Sequence, residues 1–349
     1  MWPCLRLRLP IPLAFALCLV VAASGAARAD DIAAFYAGRT MTFVSGSSPG
    51  ASYDVHSRLV ARHLGGFIPG KPTIVVQNMP GAGSKAAANH LYTAAARDGS
   101  VIGMFGRGVY LDAVFGIEGT RFDPLKFSWI GSHGRETSAL VAGIDTPFKT
   151  FADLQKNEML VGTPPPGSDV HSFGMMFNAL AGAKLKLISG YPGLAAVALA
   201  IDRGEVQGIP GPSIASLMAL RPQWLTEPGK ARFLVQLGTS PHATLLQGVP
   251  MVHAFAQSDA DRKALDLMLA RLEIAYPLTA PPEVPAGRLA ALRAGFAGMV
   301  KSEEFLADAK KLYAEISPSS GERVLEVMAQ AYAAPKDVIA RAKSVFEQK

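Results

Sequence analysis

The chain has 349 residues, 49% of them apolar and 18% charged; the charged share lies below the roughly 25% of an average globular protein, which excludes intrinsic disorder and leaves room for two domains with real cores. The formal net charge is +6, but no Lys/Arg block interleaves with aromatic residues, so nucleic-acid binding is excluded. The only cysteines, Cys4 and Cys18, fall in a leader that is expected to be removed, which excludes disulfides, thiol redox chemistry and thiolate metal sites.

That leader is residues 1–29. Arg6 and Arg8 open it, an apolar stretch covers 9–23, and Ala27-Arg28-Ala29 fits an A-x-A cleavage site. The stretch falls short of the roughly 20 residues needed to span a bilayer, and Pro10 and Pro12 weaken its helix, so a cleaved export signal is expected rather than an anchor. Loss of Arg6, Arg8 and Arg28 lowers the net charge from +6 to +3.

From residue 30 one pattern recurs: a short β-branched run, a Gly/Pro/Ser turn, then an amphipathic helix. The first unit is a strand at 41–44, a turn at 45–52 and a helix at 53–64. The second is a strand at 73–76, a turn at 77–83 and an alanine-rich helix at 84–95 with Ser84 as its cap. Asp98-Gly99-Ser100 leads into a third strand at 101–105, and an irregular connection ends in Trp129-Ile130-Gly131 before a strand at 139–144. A short helix at 146–154 follows. The pattern resumes with a strand at 159–162, a turn at 163–168 containing three prolines, and a helix at 169–181, then with 184–188, 189–193 and 194–203. From 264 the chain is mainly helical, at 264–271, 286–301, 302–312, 321–333 and 335–348, with one strand at 273–278.

Such succession predicts an α/β fold of parallel sheets covered by helices. The expected division is two lobes, 30–132 with 246–349 and 133–245, the second inserted in the first, with a ligand cleft between them.

Two enzyme motifs fail on inspection. Gly46-Ser47-Ser48-Pro49-Gly50 matches the G-x-S-x-G nucleophile elbow, but it follows the first strand and no acid-then-histidine order stands out downstream. Gly81-x-Gly83-x-x-Ala86 resembles a dinucleotide fingerprint, yet Asp98 lies before the next strand rather than at its end. The seven histidines show no metal-ligand spacing, so no metal and no cofactor are expected. What remains is physical. The turns at 45–54, 80–84, 163–169 and 189–193 place helix N-termini, with unpaired N–H groups and partial positive charge, where parallel sheets bind anions. Asp54 and Asp169, at helix starts, read first as caps or dipole partners.

In motif order the chain resembles the periplasmic solute-binding receptors of tripartite tricarboxylate transporters, the TctC or Bug family. Pro49-Gly50-Ala51-Ser52-Tyr53-Asp54 stands where the family has P-G-G-x-x-D, and Asn78-Met79-Pro80-Gly81-Ala82-Gly83 matches N-x-P-G-A-G. Asp98-Gly99, Phe122-Asp123-Pro124, the 148–154 segment, Gly190-Tyr191-Pro192-Gly193 and Gly248-Val249-Pro250 follow in order. The resemblance implies a type II periplasmic-binding-protein-like fold, closing on a small carboxylate with amides, hydroxyls and water rather than arginine. It implies a monomer that delivers its ligand to two membrane permease subunits. On that basis the ligand contacts fall on Ser47, Ser48, Gly50, Ser52, Asp54, Gly81, Ala82, Gly83, Thr163, Ser168, Asp169 and Tyr191. Ala51 and Pro164-Pro165-Pro166 depart from the pattern, so ligand identity does not carry over. The alternatives are a receptor for a two-component sensor and an exported serine hydrolase using Ser48.

Overall fold

The computed structural model describes residues 31–347; the leader expected at 1–29 lies outside them. Six strands build one sheet: β1 (Thr40–Ser45), β2 (Thr73–Asn78), β3 (Val101–Met104), β4 (Ser128–Gly134), β10 (Pro277–Ala280) and β11 (Ile316–Ser320). Five build the other: β5 (Ser138–Gly143), β6 (Met159–Thr163), β7 (Leu185–Ser189), β8 (Gly208–Ser213) and β9 (Ala231–Leu237). The orders are β11-β4-β10-β3-β1-β2 and β7-β6-β8-β5-β9.

Both sheets obey one rule. The repeated strand-turn-helix units pair in parallel, β2 with β1 and β1 with β3 in the first, β7 with β6 and β6 with β8 in the second. Next to the third strand comes one whose chain has crossed from the other sheet, β10 or β5, and it runs antiparallel. The α/β expectation of parallel strands holds for the strand-turn-helix units, while each sheet as a whole is mixed, because a crossing chain enters it from the opposite side. Pairing corrects local expectations. The 128–134 segment, read as the tail of a connection, is a fully buried strand holding Trp129 in the core. Three strands went unread: β8, β9 and β11. The Pro210 and Pro212 of β8 and the Pro318 of β11 disguise two of them.

One apolar core is continuous from the first sheet to the second, joining Phe105 and Trp129 to Phe151, Phe173 and Phe177. Separate cores lie on the remaining faces, around Phe43, Ile102 and Leu278 and around Val141, Val197 and Ile209. The helices Asp259–Leu269 and Lys336–Ser344, which the sequence division groups with the first lobe, pack instead beside the helix Asp169–Ala181 below the second sheet. Arg341 fixes them there, donating to Asp261 Oδ1 at 2.6 Å and to the Ala179 carbonyl at 2.6 Å.

Gly321 starts the helix Gly321–Tyr332 where it crosses β4, and a Cβ there would overlap the Trp129 carbonyl. Since that neighbour is backbone, Gly321→Ala is expected to destabilise the protein by about 2 kcal/mol. A urea titration checks this as a lower midpoint at unchanged slope.

Candidate binding cleft

The first unit's turn is held by Asp54. Burial pushes its pKa up, but hydrogen bonds from Arg58, Gly50 and Asn78 outweigh this and keep it low. Asp54 Oδ2 accepts from the Gly50 amide at 2.8 Å and from Arg58 Nε at 3.0 Å, while Oδ1 accepts from Asn78 Nδ2 at 2.7 Å. Asn78 Nδ2 also donates to the Ser47 carbonyl at 2.9 Å. The carboxylate therefore consumes the Gly50 amide, and the Ala51 amide goes to the Ser48 carbonyl at 3.1 Å. Of this turn's expected anion donors, these two face protein. Ser48 is exposed, and its hydroxyl bonds neither histidine nor acid among the described residues. Ser52 Oγ lies 3.5 Å from the Tyr276 hydroxyl, and Ser47 Oγ 3.4 Å from Ser45 Oγ.

The second turn is different. Gly81 (φ 140) and Gly83 (φ 63) flank Ala82 (φ 46), and all three are exposed. This left-handed passage accounts for the glycines at 81 and 83. Ser84 stands at the expected N-cap position, but with positive φ and without a side-chain capping bond; its hydroxyl donates instead to the Gly46 carbonyl at 2.7 Å, stitching the two turns together.

On the second sheet, Ser168 caps the helix Asp169–Ala181 by accepting from the His171 amide at 3.3 Å. Thr163 is fully buried, with Oγ1 3.1 Å from His171 Nδ1 and 3.2 Å from Ser189 Oγ. Burial lowers the His171 pKa, favouring the neutral ring. Tyr191 packs its ring on Gly162, behind the turn.

These turns face one another. A Cβ on Gly83 would sit 3.9 Å from the Gly167 carbonyl oxygen, and between them opens a cavity of about 710 Å³. Ala82, Gly83, Ser168 and Asp169 line it; Ser47, Ser48, Gly50, Ser52, Asp54, Gly81, Thr163 and Tyr191 do not. The first motif reaches it through Tyr53, whose hydroxyl accepts from the Arg107 amide at 3.0 Å.

Most of the other lining residues lay outside the expected contacts, and the two that are buried cations are arginines. Arg107 follows β3 and is buried; it pairs with Glu136 and, through Nη2 at 2.8 Å, with Asp169 Oδ2. Arg271, on the segment returning to β10, is also buried and lies 3.3 Å from Asp169 Oδ1. Burial would raise the Asp169 pKa, but these two cations hold it below the usual value. A signal for Arg107 existed in Gly106-Arg107-Gly108, a turn closing the third strand like the turns that were read. None existed for Arg271, which ends a helix.

A second cavity of about 580 Å³ is bounded by Glu136, Tyr276, Met218, His242, Leu306 and Tyr313 among others. Glu136 thus belongs to its wall while pairing with Arg107 of the first cavity.

No family model matches the sequence, and no curated protein does. Solved structures do match the fold. A TctC solute-binding protein from Polaromonas is 20% identical, with 89% of this chain and 99% of that one covered and a TM-score of 0.66. The periplasmic binding protein BugD is 18% identical, with coverage of 89% and 98% and a TM-score of 0.65. MatC from Rhodopseudomonas palustris, solved with bound malate, is 19% identical, with coverage of 86% and 99% and a TM-score of 0.64. The chain has the two-lobed fold of TctC and Bug periplasmic binding proteins, as the resemblance implied, and among its described residues no helix is long and apolar enough to cross a membrane.

Proposed function

We propose that the protein is a non-catalytic receptor that captures a small carboxylate between its lobes and, after export to the periplasm, hands it to the two permease subunits of a tripartite tricarboxylate transporter. The observation that carries this reading is the meeting of Ala82-Gly83 with the 166–169 turn across one cavity. Helix N-termini approach from both sides, and the first amides of each helix have no intrahelical acceptor. The malate held by MatC, on the same fold, supports a carboxylate as the ligand. In this proposal the lobes are 30–132 with the returning strands, and the 133–245 insertion with the two helices packed beneath it, in a monomer. Ala82, Gly83, Ser168 and Asp169 touch the ligand first. Ser47, Ser48, Ser52, Gly81, Thr163 and Tyr191 join or back them on closure, while Asp54 and the Gly50 amide hold the turn. Closure is a hinge motion that the ligand favours by binding both lobes.

Only the folded state has this cleft, so a ligand at a hundredfold excess over its Kd adds about 2.7 kcal/mol. A thermal-shift panel of aliphatic, aromatic and amino acids should therefore raise Tm by about 5 °C for the cognate class. A flat panel at millimolar concentrations overturns the reading.

A further inference from the structure

The guanidinium nitrogens beside the cleft are only partly paired. Arg107 gives Nη1 to Glu136 and Nη2 to Asp169, leaving Nε; Arg271 gives Nη1 to Asp169, leaving Nε and Nη2. These three are among the six buried side-chain polar atoms without a hydrogen-bond partner in the described residues. Nε and Nη2 of one guanidinium lie on the same edge of its plane, the fork that fits both oxygens of a carboxylate. The remaining lining cation, Lys85, is already engaged, 3.2 Å from Asp112 Oδ2 and 3.2 Å from the Glu118 carbonyl. The Nε–Nη2 edge of Arg271, buried in this conformation, is therefore the one bidentate guanidinium edge of the lining arginines that no described protein group occupies.

The rest of the wall is apolar. Leu111, Phe115 and Ile117 from the first lobe, Met175 from the second and Phe346 from the C-terminal tract line the cavity. Its volume, about 710 Å³, lies in the range of sites that enclose drug-sized molecules. A compact diacid would fill little of it and would set its second charge against these side chains, where desolvation is not compensated.

We infer that the cognate ligand is a monocarboxylate with a bulky apolar body, aromatic or medium-chain aliphatic, and that Arg271 takes its carboxylate side-on while the body lies along Leu111, Phe115, Ile117, Met175 and Phe346. This rests on the receptor reading and narrows its substrate class.

Calorimetric titration of the purified protein with 3-phenylpropionate, octanoate, their primary amides, succinate and citrate tests it. At least one apolar acid should bind tenfold or more tighter than succinate and citrate, and its amide should lose thirtyfold or more. Arg271→Gln should weaken the acid at least tenfold and leave the amide unchanged. Ile117→Asp, at a half-buried wall position, should weaken the apolar acids without changing the far-UV circular dichroism. The acid-to-amide comparison uses the unmodified chain, so it stands even if a variant fails to fold. Succinate or citrate binding tighter than every apolar acid overturns the inference and leaves the receptor reading intact. Binding of no organic acid in this panel or the thermal-shift panel overturns both.

Discussion

Asp169→Ala should cost about 3–5 kcal/mol of stability, one of the largest losses expected from any single substitution in the cleft. Asp169 faces two guanidinium groups that are each 5% exposed, and its removal leaves Arg271 without a carboxylate partner while Arg107 keeps Glu136. A buried cation without its counter-charge is what makes breaking such a pair expensive; the pair itself contributes much less. The double variant Asp169→Leu with Arg271→Met should accordingly recover most of the loss, since both charges go together. Chemical denaturation of the single and double variants measures the difference. Equal destabilisation by both would mean that packing, not charge, holds this corner.

Acid should weaken the fold well before its carboxylates titrate. His56 Nδ1 lies 2.8 Å from His133 Nε2, and the Tyr276 ring stacks on His56 at 3.6 Å and on His133 at 4.9 Å. Burial, with the nearby charge of Arg107, pushes the His56 pKa down to about 3, and burial beside His56 pushes His133 well below its ordinary value. Both rings are neutral in the folded protein, whereas the unfolded chain takes up a proton at each near pH 6.5. The unfolded state therefore binds more protons below that pH, and stability falls with it by up to about 1.4 kcal/mol per pH unit per histidine. For the pair this is roughly 5 kcal/mol between pH 6.5 and 4.5. The low pKa values of Asp54 and Asp169 work in the same direction, but only below about pH 4. Tm measured across pH 7 to 4.5 should decline steadily, and His56→Gln should flatten the decline. A constant Tm over that interval would show that the rings can charge in place.

The pair also shows where sequence reading stops. His56 lies on the helix Ser52–Leu64 that the sequence pattern shows, and it is 5% exposed. Its partner stands 77 positions away on a strand that was read as the end of a loop. No local pattern links them; the antiparallel entry of β10 beside β4 brings Tyr276 against both rings. The arginine cluster has the same origin. Arg107 and Arg271 meet only because Asp169, from the second sheet, reaches both, while Glu136 from the crossing segment pairs with Arg107.

What the amino-acid order by itself determined is local: the strand and helix periodicities of most elements, the glycines at 81 and 83, the Ser168 cap and Asp54 at a helix start. These follow from backbone sterics and hydrogen-bond needs within a few residues. Only the tertiary structure decided which turns open on the cleft. It moved Thr163 and Tyr191 behind the wall and set two arginines in front. Burial and charge pairing depend on residues brought together by chain crossings, which no sequence window contains.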